Sequence, residues 1–296
     1  MINLYEDILA HPDYFAQISV NDLLFVHYKC PQKEDLIHLF THHNYLIYSL
    51  SGSRRMLRNQ DGWMLTKDVS LFVKKSAFTQ EWYRQEDWEV IVFFIPDIYL
   101  RKILNEYRNH LPLSSFSAES RGTAITVDIN ETGKAFFYSM LPYFTQSPAP
   151  PSSLLEIKFR ELFFNILSNP ANASLVSYIN ELGQHSKPSL SEIMESNYMY
   201  NLSLSEFAKL SHRSLATFKR DFIKIYQIPP GKWLMQKRID HARLLLTTTK
   251  SSINSIAFDS GFESGAHFSR VFRERFGLSP LRSRKEAWDQ AKVFQR

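Results

Sequence analysis

The sequence predicts an α+β protein. A β-rich front closes into a small barrel or sandwich, a helical segment follows, and the carboxy-terminal third is all-α. Three observations predict this. Short runs of β-branched, aromatic and aliphatic residues, punctuated by glycine, fill residues 1–95. Helical apolar spacing takes over after Pro96. The last third repeats itself at an interval of about 50 residues.

Composition bounds the reading. The chain has 296 residues, enough for two domains, and 44% are hydrophobic, enough for a sizeable core. A lone cysteine, Cys30, excludes an internal disulfide framework and fits a reducing cytoplasm. The opening MINLYEDILAHPDYF carries acids and lacks the basic-then-apolar run of a secretory signal. No run approaches the ~18 apolar residues of a spanning helix, so no membrane partner is expected.

The net charge of +5 hides an asymmetry. Residues 187–296 hold 19 Lys/Arg and 10 Asp/Glu; the remainder holds 16 and 20. A basic third joined to an acidic remainder points to a polyanion-binding module attached to something else. A merely solvated basic surface would give the same count.

In chain order, strands are expected at 45–50, 62–65, 69–74 and 90–95, with turns at Gly52 and at Asp61-Gly62. VIVFFI (90–95) is apolar at every position and should be buried on both faces. Residues 96–184 read as helical, with helices at 99–107 and 130–144 before the breaker SPAPPS (147–152). Ser153 and Glu156 read as a capping box opening the next helix. That helix carries Leu155, Phe159, Leu162 and Ile166, spaced 4, 3, 4. Such a stripe serves equally as a dimerisation seam or as a core-facing face. Pro188 and Lys187 mark a linker, and Ser189 with Glu192 and Ser203 with Glu206 form two further capping boxes. The expected domains are therefore 1–184, regulatory and dimerising (β-rich 1–95, helical 96–184), and 185–296, all-helical.

The repeat lies within the second of these. Phe207-Ala208 returns as Ile256-Ala257, and Phe218, Arg220 and Phe222 return as Phe268, Arg270 and Phe272. Each unit reads short helix, turn, longer helix. Gly261 suits a left-handed turn, and His212 takes its place in the first unit. Ser214 and Ser264 then cap the second helices. This is the sequence form of a helix-turn-helix. Phe268, Val271, Phe272 and Phe276 fall on one face, as do Phe218, Phe222 and Ile225. Ala216, Thr217, Lys219 and Arg220, and Ala266, His267, Ser269 and Arg270, lie on the other. Small residues let a helix sink into a major groove about 12 Å wide, where arginine and lysine reach guanine and short hydroxyls reach bases or phosphates. Phosphate contacts or internal ion pairs are the plainer uses of either arginine; the same arginine in both repeats of a basic domain tilts toward nucleic acid. A long helix over 232–249, with an apolar stripe of Leu234, Ile239, Ala242, Leu245 and Leu246, joins the units. Two units on one face of a duplex need centres about 34 Å apart.

Residues 190–285 resemble the DNA-binding domain of AraC/XylS-type bacterial transcription regulators. The resemblance rests on LSEFAKLSHRSLATFKRDF (204–222), RIDHARLLL (238–246), SINSIAFDSGFES (252–264) and HFSRVFRERFGLSP (267–280). It implies that the second helices enter successive major grooves, with Ala216, Lys219 and Arg220, then Ala266, His267, Ser269 and Arg270, facing bases. It implies a double-stranded DNA partner, contact with RNA polymerase, activation of transcription, a homodimer, and a front domain that is often a cupin-like barrel answering a small molecule or a protein. This chain departs from the pattern at His212, at Gln227 and Pro229 where Gly and Ser are usual, and at Ser283 where an aromatic is usual.

Other chemistry finds little support. His38, His42 and His43 cluster without a further histidine before His110, so no metal is expected. No Gly-rich phosphate loop occurs and no cofactor is expected. Cys30 reads as a small core residue. Trp63, Phe72, Phe78, Trp82, Tyr83 and Trp88 could line a ligand pocket, though such aromatics more often fill a core. A DNA-binding regulator is the reading carried forward, against a helical adaptor that binds protein and a barrel enzyme with a helical appendage.

Overall fold

The computed structural model describes residues 1–30, 35–58, 61–82, 87–110, 122–184 and 189–293, with backbone alone at 110, 183–184 and 287–293. The expected linker residues Lys187 and Pro188, and Tyr83, lie outside these. The chain divides into two compact units, Met1–Ser186 and Lys187–Arg296.

The first unit opens with β1 (Ile2–Asn3) and α1 (Leu4–Ala10), capped by Asn3. Nine strands follow: β2 (Ala16–Val20), β3 (Leu23–Lys29), β4 (Leu36–Thr41), β5 (Asn44–Ser51), β6 (Ser53–Arg58), β7 (Asp61–Thr66), β8 (Ser70–Val73), β9 (Ser76–Glu81) and β10 (Glu89–Ile95). Then come α2 (Asp97–Tyr107), β11 (Ala124–Val127), α3 (Glu131–Met140), α4 (Ser152–Ser168) and α5 (Ala173–Gln184).

These strands form two open sheets rather than one closed barrel, in the orders β1-β4-β9-β6-β7 and β11-β8-β5-β10-β3-β2. The reason lies in β10. Its Val90, Val92 and Phe94 pack toward the five-stranded sheet with Ile37, Leu39, Met56 and Phe78. Its Ile91, Phe93 and Ile95 pack the other way, against helices. The six-stranded sheet is thus a middle layer, buried on both faces, and an all-apolar strand is what such a layer requires.

α4 covers that sheet. Leu155, Phe159, Leu162 and Ile166 are at most 3% exposed and belong to the same core as Phe25 and Phe93. Phe159 lies 5.3 Å from the Phe25 ring and 5.2 Å from that of Phe93. The stripe expected as a dimerisation seam is therefore the core face, filled from within its own unit.

Local expectations are corrected in four places. Residues 96–184 are not wholly helical, because β11 adds to the sheet beside β8. Asp61-Gly62 is not a turn: it starts β7, opposite Arg58 and Leu57. α4 begins at Ser152 after Pro151, without a side-chain cap, so Ser153 sits inside the helix and Glu156 instead accepts from Asn21 at 2.7 Å. Ile225 does not face inward but lies exposed.

The second unit contains seven helices among the described residues: α6 (Leu190–Asn197), α7 (Leu204–Leu210), α8 (Leu215–Tyr226), α9 (Pro230–Thr248), α10 (Ile253–Asp259), α11 (Gly265–Phe276) and α12 (Pro280–Val293). Serine caps open most of them. Ser203 and Glu206 satisfy each other's orphan amides in a full capping box, while Ser189 accepts from Glu192 N. Ile239, Ala242, Leu246, Ile256, Ala257, Phe262, Phe268 and Phe272 form a core around α9. Trp233 of α9 meets Phe222 at 5.8 Å and Tyr226 at 5.3 Å. Both longer helices end in a left-handed residue, Gln227 at φ 58° and Gly277 at φ 75°. Gln227 thus takes a conformation glycine would adopt more readily.

Candidate nucleic-acid interface

α7 to α8 and α10 to α11 are two helix-turn-helix motifs built alike. After α7, Arg213 N bonds Ala208 O at 3.0 Å; after α10, Phe262 N bonds Ala257 O at 3.0 Å. Each is the wide closing bond of a Schellman turn, and the residue before it is left-handed: His212 at φ 54°, Gly261 at φ 83°. Ser214 then accepts from Thr217 N, and Ser264 from His267 N, both at 3.2 Å. These caps fix where the second helices begin.

The longer helices bury the expected aromatics. Phe218, Phe222, Phe268 and Phe272 are each 0% exposed. Ile225, expected inward, is 56% exposed; its neighbour Tyr226 takes the inward place, stacked on Phe222 and packed on Trp233. On the opposite faces Ala216, Lys219, Arg220, Ala266 and Arg270 are exposed, and Thr217, His267 and Ser269 half-buried. The eight candidates thus form one patch per motif, at the amino-terminal half of each helix.

The patches differ in detail. In the first, the Asp221 carboxylate pairs with Arg213 Nε at 3.2 Å and lies 3.7 Å from Arg220 Nε. The Thr217 hydroxyl accepts from Ser214 Oγ at 2.9 Å, so it is engaged in the cap. In the second, Val271 replaces the acid, and the Arg270 side chain has no ion pair among the described residues. His267 rests edge-on against Phe262, 5.8 Å between rings, at the turn.

Two supporting residues escaped the sequence reading. Gly265 opens α11 where a Cβ would meet Asn254 Oδ1 at 2.2 Å. Arg238 of α9 donates from Nε to Tyr198 O and from Nη2 to Tyr200 O, each at 2.7 Å. Burial holds its guanidinium below the ordinary arginine value, against the opposing pull of Glu263. The position of Arg238 at the head of RIDHARLLL was the available signal. In the first unit, no group of three or more His, Cys, Asp or Glu able to hold a metal occurs among the described residues. His43 packs on Tyr5 at 4.1 Å, and Phe72, Phe78 and Trp88 are buried as core.

Two family models match this chain: the ExsA N-terminal regulatory domain over residues 44–178, and a helix-turn-helix domain over 207–286. The carboxy-terminal unit carries an AraC-type helix-turn-helix domain, and the chain is similar to AraC-type transcription regulators. It is 25% identical over 244 residues to the virulence regulon transcriptional activator VirF of Yersinia enterocolitica, covering 80% of this chain and 90% of the relative. It is 33% identical over 135 residues to the transcriptional regulator ExsA of Pseudomonas aeruginosa, covering 46% and 49%. The solved structure of ToxT from Vibrio cholerae aligns over 87% of this chain and 96% of its own at 15% identity, with a TM-score of 0.41. These matches make the chain a DNA-binding regulator with an amino-terminal regulatory domain, favoured over a helical adaptor that binds protein. Among the described residues no helix is long and apolar enough to cross a membrane.

Proposed function

We propose that the chain activates transcription by laying α8 and α11 into successive major grooves of one duplex. One observation carries this: two identically capped helices, each anchored by two fully buried phenylalanines, present an arginine at the same position on their outer faces. Arg270, Ala266, His267 and Ser269 read bases in one groove. Lys219, Arg220, Ala216 and Thr217 read or grip the other, where Asp221 already draws on Arg220. The domain assignment follows from this: 185–296 binds DNA and 1–184 regulates. The active species is a homodimer in the bacterial cytoplasm that contacts RNA polymerase, with no catalytic role. Its first unit answers a small molecule or a protein. With Leu155, Phe159, Leu162 and Ile166 enclosed in the core, the dimer contact falls elsewhere on the chain.

Titrating the full chain against genomic DNA fragments at increasing salt tests the reading. Each phosphate contact should add about 0.9 to the slope of log K against log salt. A flat response, or equal affinity for all fragments, would refute it.

A further inference from the structure

The connection from α6 to α7 lies against the turn of the second motif. A Cβ on Gly261 would meet Met199 O at 2.7 Å and Arg238 Nε at 2.9 Å, so only glycine admits this approach. Arg238 grips the same connection through Tyr198 O and Tyr200 O. Asn201 Nδ2 donates to Glu263 Oε1 at 3.1 Å, beside the Ser264 cap of α11. One turn along α9, His241 lies 3.4 Å from the fully buried Ser260 hydroxyl and edge-on to Tyr198 at 5.9 Å.

The connection ends at Ser203, the cap of α7. The first motif is therefore attached to the second twice: once along α9 through Trp233, and once across this bridge. A single shared helix of 19 residues would leave the motifs free to twist about its axis. A second attachment removes that freedom.

We propose that Arg238, together with the Asn201–Glu263 bond, locks the angle between α8 and α11 and so sets the spacing between the two DNA segments the chain accepts. This rests on the reading that both helices enter DNA. Arg238 is a positioning residue: its planar fork serves two carbonyls two residues apart, which a lysine's point charge does not reproduce.

The test is selection of random-sequence duplexes by the full chain, the Arg238→Lys variant and the Asn201→Ala/Glu263→Ala double variant. The wild-type pool should show two sequence boxes at one spacing. Both variant pools should spread to neighbouring spacings, and preference over a duplex lengthened by one base pair should fall roughly fivefold or more, the low end of coupling between sites. The double variant alters only polar surface groups, so it reports even if Arg238→Lys fails to fold. Variant pools that keep the single spacing, or equal loss of affinity at every spacing, would overturn the proposal. A wild-type pool with no enriched boxes overturns the DNA reading itself, and this proposal with it.

Discussion

Gly261 and His212 occupy the same left-handed turn position for different reasons. At 212 the side chain is exposed and the backbone angle is left-handed. At 261 the backbone angle is compounded by Met199 O, which leaves no room for a Cβ. His212→Gly meets no such steric bar and should cost less than Gly261→Ala. Gly261→Ala should cost more than the ~1–2 kcal/mol of a left-handed non-glycine residue, seen as a lowered urea midpoint of the carboxy-terminal transition. Equal effects would mean the Met199 contact yields freely. The left-handed turns, the serine caps and the paired phenylalanines were legible in the sequence because each depends on neighbours within a few residues. Gly265 and Arg238 were not, because Asn254 of α10 and the Tyr198 and Tyr200 carbonyls of the α6–α7 connection reach them from elsewhere in the chain. Arg270 is the residue on which base reading rests most. It follows a rigid turn and a serine cap, its neighbours Ala266 and Ser269 are small, and no carboxylate pairs with it among the described residues. Arg270→Ala should cost about 1–3 kcal/mol on the preferred duplex and relax preference at one base pair. An equal loss on every sequence would make it a phosphate clamp.

α4 shows how an element's spacing can be read correctly while its purpose stays open. A 4, 3, 4 stripe fits a seam or a core, and only the sheet beneath decides. Leu162 is 1% exposed in that core, so Leu162→Asp should unfold the first unit rather than release monomers from a dimer, since an unpaired buried charge is untenable there. Sedimentation together with near-UV circular dichroism separates the outcomes: a folded monomer would restore the seam. Strands β6 and β9 were illegible for a related reason. Their inward positions hold Arg54, Arg58 and Gln80, all buried, where a half-buried strand is expected to carry apolar residues. Arg54 lies 5.8 and 5.6 Å from the Trp82 and Trp88 rings, which supply the apolar company its own strand lacks. In α9, burial lowers the pKa of His241, with Asp259 opposing. A base whose folded pKa lies below its unfolded value binds protons more readily when unfolded, so its contribution is complete above about pH 6.5 and is lost as pH falls below it. Melting of the carboxy-terminal unit between pH 7 and 5 should be steeper for the full chain than for His241→Gln. Parallel curves would remove His241 from the pH response.

At the scale of the whole molecule, the charge imbalance between the two thirds and the last was the broadest signal and the least specific. The basic residues gained meaning only when the repeat placed Arg220 and Arg270 on equivalent helices. The arrangement of the front unit was half legible: β5, β7, β8 and β10 were visible, but two open sheets with helices over one face follow from long-range pairing such as β11 on β8 and β1 on β4. The central claim is that both helix-turn-helix motifs read one duplex together. Methylation-interference footprinting of the full chain on its selected duplex tests it most directly. The account predicts two protected major-groove patches on one face, about 10 base pairs apart, with Arg270→Ala weakening only the patch under α11. A single patch, or two patches that weaken together, would contradict it.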